Sequence, residues 1–561
     1  MRAFLPAFGL LGSLSFAAAV AFVACAAQRE DTGTPSNPLD AGADLATDAD
    51  PGFDVAQDTA VDSAPPIMNP KTCEEAAAAK SYVGCDFWPT VVANSVWEVF
   101  DFAAIVANAG SEEAKITVTG PGGFKKEAIV GPGRLVKVYL PWVPALKGPQ
   151  ADECGASQTA LKETVRADRS AYHLVTTRPV TVYQFNALEY EGKGGPVGKS
   201  WVGCPGDKAC INDEGYVGPI GCFSFSNDAS LLLPSTALTG NYRITGSRGG
   251  SGLSSYVAVT GTRDDTDVAV TLTGKGRILA GGGLSYTGGG ATANFKLNAG
   301  DVMQLLVPAG TLFDLSGSLI KASRPVQVIA GVPCITQPSG VMACDHIEES
   351  VFPAETFGRE YVVTMPTGPN GNKPGHVVRL YGNVDGTTLT YKPAAPKGAP
   401  LTLQAGQVVD LGVVKEDFVV TGSAEFAVGS FMLGGELVDP DAFDGLQKGD
   451  PSMSMITSVE QYRTKYVFLA PDDYLVNYVD VVAKPGTKLK LDGSEVTESG
   501  DSLGDYEVTR VKLGPGPSEV GAHVLESDKP FGIQVLGYGA YTSYHYPGGL
   551  NLSAIAPPPA K

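Results

Sequence analysis

The chain has 561 residues, a formal net charge of −19, 18% charged residues and only five histidines. An acidic balance of this size argues against a nucleic-acid partner, because phosphate backbones are held by basic surfaces. Sixty-nine glycines and forty prolines divide the sequence into short runs, which excludes a long-helix architecture.

The first element is the apolar run Ala3–Ala24, uncharged and preceded by Arg2. A basic start, an apolar stretch and a small residue before a cut describe an export signal, here residues 1–24. Cys25 follows Phe22-Val23-Ala24, and this junction resembles a bacterial lipobox, with Phe22 where leucine is usual. The resemblance implies cleavage before Cys25 and its acylation, and so a lipid anchor, with the outer membrane or cell surface as destination. Two other readings stay open: an uncleaved anchor of spanning length, or ordinary signal cleavage nearby. All three export the rest of the chain.

Residues 25–70 form the next segment. It is rich in Ala, Asp, Pro and Thr, and carries nine acidic residues against Arg29 alone. So little apolar surface cannot offset the entropy of ordering, so an acidic disordered tether is expected. Setting Cys25 aside leaves Cys73, Cys85, Cys154, Cys204, Cys210, Cys222, Cys334 and Cys344. An even set in an exported chain reads as disulfides. Cys73–Cys85 and Cys334–Cys344 pair by proximity. Cys154, Cys204, Cys210 and Cys222 pair among themselves in one of three ways.

The body repeats. A proline or serine is followed eight residues later by an aromatic: Pro89 to Trp97, Pro234 to Tyr242, Pro353 to Tyr361 and Ser458 to Tyr466. A second landmark follows in each unit, at Arg178-Pro179, Arg324-Pro325, Ala424-Glu425 and Lys529-Pro530. Between the landmarks lie alternating runs such as DVAVTLTG at 267–274 and TKLKLDG at 487–493, bounded by turn dipeptides such as Asp385-Gly386 and Asp492-Gly493. Period-two alternation buries one face of a strand. The expectation is an all-β body of four tandem antiparallel β-sandwich-like repeats, at 71–225 (with a Cys-rich insertion), 226–345, 346–450 and 451–561. A pseudo-symmetric, propeller-like closure is the alternative. A short helix is expected at 73–80.

Four stretches carry a family resemblance: GCDFWPTVVANSVWEVFDFAAIVANAG from Gly84, AYHLVTTRPVTVYQFNALEY from Ala171, NDASLLLPSTAL from Asn227 and ACDHIEESVFPAETFGREY from Ala343. They resemble the N-terminal domain of the IgG Fc-binding protein family over about residues 84–545. The resemblance implies extracellular binding or adhesion to a glycan or protein, and supplies no catalytic residues.

Catalytic motifs are absent: there is no HExxH, GxSxG or P-loop. The densest polar cluster, Asp345-His346-Ile347-Glu348-Glu349, reads as a polar junction between repeats, with a metal-dependent or carboxylate hydrolase as the rival. Asp439, Asp441 and Asp444 before Gly445 resemble a loose calcium loop, though the spacing fails the EF-hand rule and an exposed acidic turn explains it. Tyr538, Tyr541, Tyr544 and Tyr546 fit either core packing or a glycan-stacking surface. The reading is a non-catalytic, surface-anchored binding or adhesion protein without a required cofactor, with a structural envelope component as alternative. Cys25→Ala is expected to block lipid-dependent processing and release the chain from the membrane fraction; unchanged processing and fractionation would remove the lipoprotein assignment.

Overall fold

The alternating runs become antiparallel strands throughout the body. The computed structural model describes residues 69–155, 161–211, 217–250, 252–341, 344–442, 447–471, 473–514 and 521–560. Cys25 and most of the tether lie outside the described residues. The described residues fall in one compact unit, and the fold is all-β. Among the described residues the longest helix is Cys73–Ala79, started by Thr72, whose Oγ1 accepts the Glu75 N–H at 3.2 Å.

One eight-strand plan recurs four times. In the second repeat the strands are Asn241–Arg243, Tyr256–Gly261, Thr266–Thr271, Thr292–Leu297, Val302–Leu306, Leu319–Ala322, Val326–Ile335 and Asp345–Ser350. The first, sixth, third and fourth strands make one sheet; the fifth, second, seventh and eighth make the other. The same pairing runs from Gly84–Phe87 to Ala229–Leu232, from Glu360–Val363 to Met453–Met455, and from Arg463–Leu469 to Thr542–Pro547. In the first and fourth repeats the sixth and seventh strands are one long strand, His173–Phe185 and Ala522–Gly539, that passes from one sheet to the other. Each repeat is therefore a sandwich closed along one edge. Residues such as Phe102, Ile116 and Val182 fill the first, Val259, Val270 and Val328 the second, and Leu380, Val420 and Val428 the third.

The second landmark sits where the chain changes sheets. There the backbone N–H has no ladder partner to lose, which suits Pro179, Pro325 and Pro530. The two landmarks of a repeat meet through one hydrogen bond. Tyr242 Oη donates to the Val326 carbonyl at 2.6 Å and accepts the Thr239 N–H at 3.2 Å. Tyr361 does the same with the Phe426 carbonyl at 2.5 Å and the Gly358 N–H at 3.0 Å. Tyr466 does so with the Phe531 carbonyl and the Arg463 N–H.

The first repeat departs from the expected landmark. Phe87, not Trp97, occupies the aromatic position: Gly84 faces Val180 as Arg463 faces Phe531, and the aromatic comes three residues later in both. Phe87 has no hydroxyl to tie down. Trp97 lies beyond this strand, its Nε1 donating to the carbonyls of Ala151 and Asp152. The eight-residue count from Pro89 lands on a loop that follows the strand it was meant to precede.

The eighth strands of neighbouring repeats pack in a cycle: Ala229–Leu232 on Asp345–Ser350, that on Met453–Met455, that on Thr542–Pro547, and that back on Ala229–Leu232. The four repeats thus close a ring, built from sandwiches rather than single-sheet blades. A buried polar side chain bridges each seam. Gln304 accepts the Ala93 N–H and donates to the Leu146 carbonyl, both at 2.9 Å. Arg379 joins the Gly246 carbonyl to Asp314, and Asp480 accepts the Thr367 N–H at 2.9 Å. The last seam joins the first repeat to the fourth: Tyr82 N–H donates to the Leu550 carbonyl at 3.2 Å, Ser81 bridges to Asn551, and Tyr183 Oη reaches the Gly548 carbonyl at 3.0 Å.

Tyr361→Phe and Tyr466→Phe should each lower unfolding stability by about 1 kcal/mol, the net worth of a buried hydrogen bond. Urea denaturation checks this, and unchanged midpoints for both would show that the landmark bond does not hold the sandwich edge.

Candidate functional site

The eighth strands have a second role at the centre of the ring. Alternate backbone N–H groups of a strand point the same way, and here they point at the shared axis. Asp228 Oδ1 accepts the N–H groups of Ala229 at 2.9 Å and His545 at 3.4 Å, and its Oδ2 those of Glu348 at 3.1 Å and Met453 at 3.0 Å. These four residues occupy equivalent places in the four strands. Two residues earlier, Asp345 Oδ1 accepts the N–H groups of Asn227 at 2.8 Å and His346 at 2.7 Å, and the Ser543 N–H faces the same carboxylate. The fourth equivalent is Pro451, which has no N–H to offer. Two residues later than the Asp228 level, Glu349 Oε1 accepts the Ser350 N–H at 2.9 Å and faces those of Leu231 and Met455. The fourth equivalent there is Pro547. Three stacked carboxylates therefore take up the inward amides, and prolines stand where a carboxylate has only three.

All three acids are fully buried. Burial pushes the Asp228, Asp345 and Glu349 carboxyls well above the usual carboxylate range, and the amides pull against it. The remaining members of the predicted polar cluster are spent on the same structure. Glu348 accepts from Gln184 Nε2 at 3.1 Å, Ser230 Oγ at 3.0 Å and Asn186 Nδ2 at 3.2 Å, and His346 Nε2 stands 3.5 Å from Glu348. These side chains are shut away from solvent, which removes them as an exposed hydrolytic centre. Glu348 and Glu349 divide as neighbours on a strand should, one to side chains and one to backbone.

The axis opens at the end where the four strands enter it. Phe225, Cys344, Gly449 and Tyr541 hold equivalent positions one step before this mouth. Phe225 and Tyr541 both have φ near +49°, and Gly449 has φ +102° with the Tyr538 ring 3.0 Å from any added Cβ. The next level is Ser226, Asp345, Asp450 and Thr542. Thr542 Oγ1 donates to Asp345 at 3.0 Å. A cavity of about 420 Å³ covers this mouth, with Trp97, Ile220, Phe225, Tyr541, Ser226 and Asp450 in its walls. Asp450 is 1% exposed, and among the described residues neither carboxylate oxygen has a hydrogen-bond partner. Burial, and then the charge of Asp345, pushes its carboxyl well above the usual range.

The cysteines pair as Cys73–Cys85, Cys154–Cys210, Cys204–Cys222 and Cys334–Cys344. The second pairing selects one of the three open arrangements. Cys154, Cys334 and Cys344 stand in the cavity wall, so two disulfides fix its rim. Of the tyrosine quartet, Tyr538, Tyr544 and Tyr546 are buried in the central core, and Tyr541 faces the cavity with its Oη bonded to Gln447 Oε1. Asp439 is turned inward, with Oδ1 accepting from Asn370 Nδ2 at 2.8 Å and Oδ2 facing Lys448 Nζ at 3.5 Å. Asp441 is exposed, and Asp444 lies outside the described residues. Among the described residues no group of three or more His, Cys, Asp or Glu side chains converges in a way that could hold a metal ion. No described helix is long and apolar enough to cross a membrane. The signal that points to the axis in the sequence is an acid inside an otherwise apolar strand, as in NDASLLL at 227–233.

Asp228→Asn turns an NH₂ group toward amides that need an acceptor, and should cost about 3 kcal/mol or more, since each buried donor left unpaired costs roughly 1–3 kcal/mol; a loss below about 1 kcal/mol in urea would show that the column is not structural. Glu189 supplies a pH test. Burial, then the charge of Asp101, raises its carboxyl to about 8. Its contribution is complete below the unfolded value of about 4.3 and is lost as pH rises through the folded one. Burial lowers His376 to about 4 and His545 to about 3, so they act in the opposite direction, but only below about 6.5. The thermal midpoint should therefore fall between about pH 6.5 and pH 8, and Glu189→Gln should lessen that decline, to which the raised carboxyls of the column also contribute. A wild-type profile that is flat or rising there would contradict the assignment.

Comparison with known proteins gives the geometry a lineage. A family model described as IgGFc binding protein matches residues 228–537, which takes in Asp228, Asp345, Glu349 and Asp450 but not the quoted stretches at Gly84 and Ala171. The human IgGFc-binding protein is 25% identical over 291 residues, 50% of this chain and 5% of that protein. A solved structure titled as a tetra-tandem repeat in the extending region of a large adhesion protein covers 83% of this chain and 99% of its own, at 12% identity and a TM-score of 0.08; at that score the likeness carries no argument. With more than half its length inside the family model, the chain belongs to the IgGFc binding protein family.

Proposed function

We propose that the chain is an exported, non-catalytic binding module that engages an extracellular protein at the cavity end of its ring, and that lipid on Cys25 holds it at a cell surface. The observation that carries this reading is the cavity itself. Its size falls in the range of ligand sites, its walls set aromatic and aliphatic side chains beside three serines and Asp450, and two disulfides fix them. Aromatic anchors in a rigid, concave surface are the features that dominate protein recognition. Family membership supports binding over chemistry, and the four disulfides suit an oxidising compartment. What the human relative's name says it binds belongs to that protein; the ligand here is expected to be a protein of the environment into which the chain is exported.

The test is a binding screen with the soluble fragment 71–561 on arrays of extracellular proteins and of glycans. Saturable binding to a protein, weakened roughly tenfold or more by Tyr541→Ala as expected for a hot-spot aromatic, is the expected result. Binding confined to glycans, or protein binding indifferent to Tyr541, would overturn it.

A further inference from the structure

We infer that the cavity at the mouth of the ring is a receptor for an arginine side chain, with Asp450 as its anionic partner; this rests on the protein-binding reading above. Buried carboxylates are normally paired, because an unpaired charge out of water is costly. Asp450 breaks that rule at both oxygens. It also does so in the wall of an open cavity, whereas the neighbouring acids Asp345 and Asp228 have every oxygen engaged. Glu349, at the inner level, lacks a partner on Oε2 alone; Asp450, at the level that meets the outside, lacks one on both oxygens.

The surroundings define what that partner must be. A cation is required by charge. It must carry an apolar stem, because Trp97, Ile220, Phe225 and Tyr541 surround the approach. Two free oxygens on one carboxylate match the two parallel N–H donors of a guanidinium, and aromatic faces favour the same planar cation. Lysine offers a single strongly hydrated point charge and matches less well. The Asp450 oxygens are covered, but no hydrogen bond from the described residues holds them there, so turning the carboxylate toward an incoming guanidinium breaks none of those bonds. The chain's net charge of −19 favours approach of a basic partner.

The test uses the full chain and three small probes: Nα-acetyl-arginine amide, Nα-acetyl-lysine amide and Nα-acetyl-citrulline amide, titrated by calorimetry or by NMR of the probe. Citrulline keeps the shape of arginine and lacks its charge. The arginine probe should bind saturably and more tightly than the lysine probe, and the citrulline probe should not bind. Asp450→Asn should weaken arginine binding about tenfold or more, as expected for loss of charge-assisted bonds, while its thermal midpoint stays equal or rises because a buried carboxyl that has no hydrogen-bond partner among the described residues has gone. Tyr541→Leu, which keeps Asp450, should weaken the same probe. Equal binding of arginine and citrulline, or arginine binding unchanged in Asp450→Asn, would overturn the inference. If a protein ligand found in the array screen binds wild type and Asp450→Asn alike and arginine amide does not compete, the arginine assignment fails and the binding function stands. If the arginine probe binds through Asp450 but no extracellular protein does, the reverse holds.

Discussion

One carboxylate serves four strands. Asp228 accepts an equivalent N–H from each repeat, and that sharing constrains the rest of the molecule. Four strands brought around an axis without pairing to one another would present rows of buried donors with nothing to accept them, a cost that grows with every residue. A helix or a closed barrel solves such a problem by pairing backbone with backbone. This ring solves it with side chains, placing acids at two-residue intervals so that successive inward amides find oxygen. The price is burial of several carboxyls, which shifts their titration upward and makes the centre sensitive to anything that alters their protonation.

The same constraint fixes the form of the repeats. The eighth strand can reach the axis only if it closes the second sheet of its own sandwich, and that sheet is joined to the first by the crossing at Pro179, Pro325, Glu425 or Pro530. The tyrosine hydroxyl that ties the start of a repeat to this crossing keeps the two sheets at a set spacing despite loops of very different length, since the landmarks lie 91 residues apart in the second repeat and 72 in the third. Variation is then free to gather in the loops. The Cys-rich segment of the first repeat shows this: it supplies Cys154, Ile220 and Phe225 to the cavity wall without altering the strand plan.

Much of this was legible in the sequence, for identifiable reasons. Alternating runs and turn dipeptides announce antiparallel strands because both are local signals. Tyr242, Tyr361 and Tyr466 recur at a fixed offset because each makes the same contact. Phe87 escaped notice because, lacking the hydroxyl, it also lacks the lead-in that marks the others. The short-loop disulfides could be paired by proximity, but Cys154–Cys210 and Cys204–Cys222 interleave, and spacing cannot order interleaved bridges. Asp345 and Glu349 stood out as polar residues, yet their role depends on amides of Leu231, Met455 and Ser543, which are far away in the chain. Asp450 gave no signal: an aspartate before a proline looks like a turn, and only the ring shows that it faces a cavity with no partner.

The seam that joins Ser81 and Tyr82 to Leu550 and Asn551 makes the ring a late event in the life of the chain. Its two sides are the first and last parts of the body to be made. Until residue 551 has been synthesised, the first three repeats can each form a sandwich, but they stand as an open arc whose inner amides lack the fourth strand and in which Ser81, Tyr82 and the Tyr183 hydroxyl lack their partners. Such non-local closure is slow compared with local pairing, and the open arc exposes apolar surface of the kind that draws chains together. The disulfides among the described residues lie within the first and second repeats. Oxidation can therefore lock the first two sandwiches as they emerge, while the third and fourth, and the closure of the ring, rest on packing and hydrogen bonds.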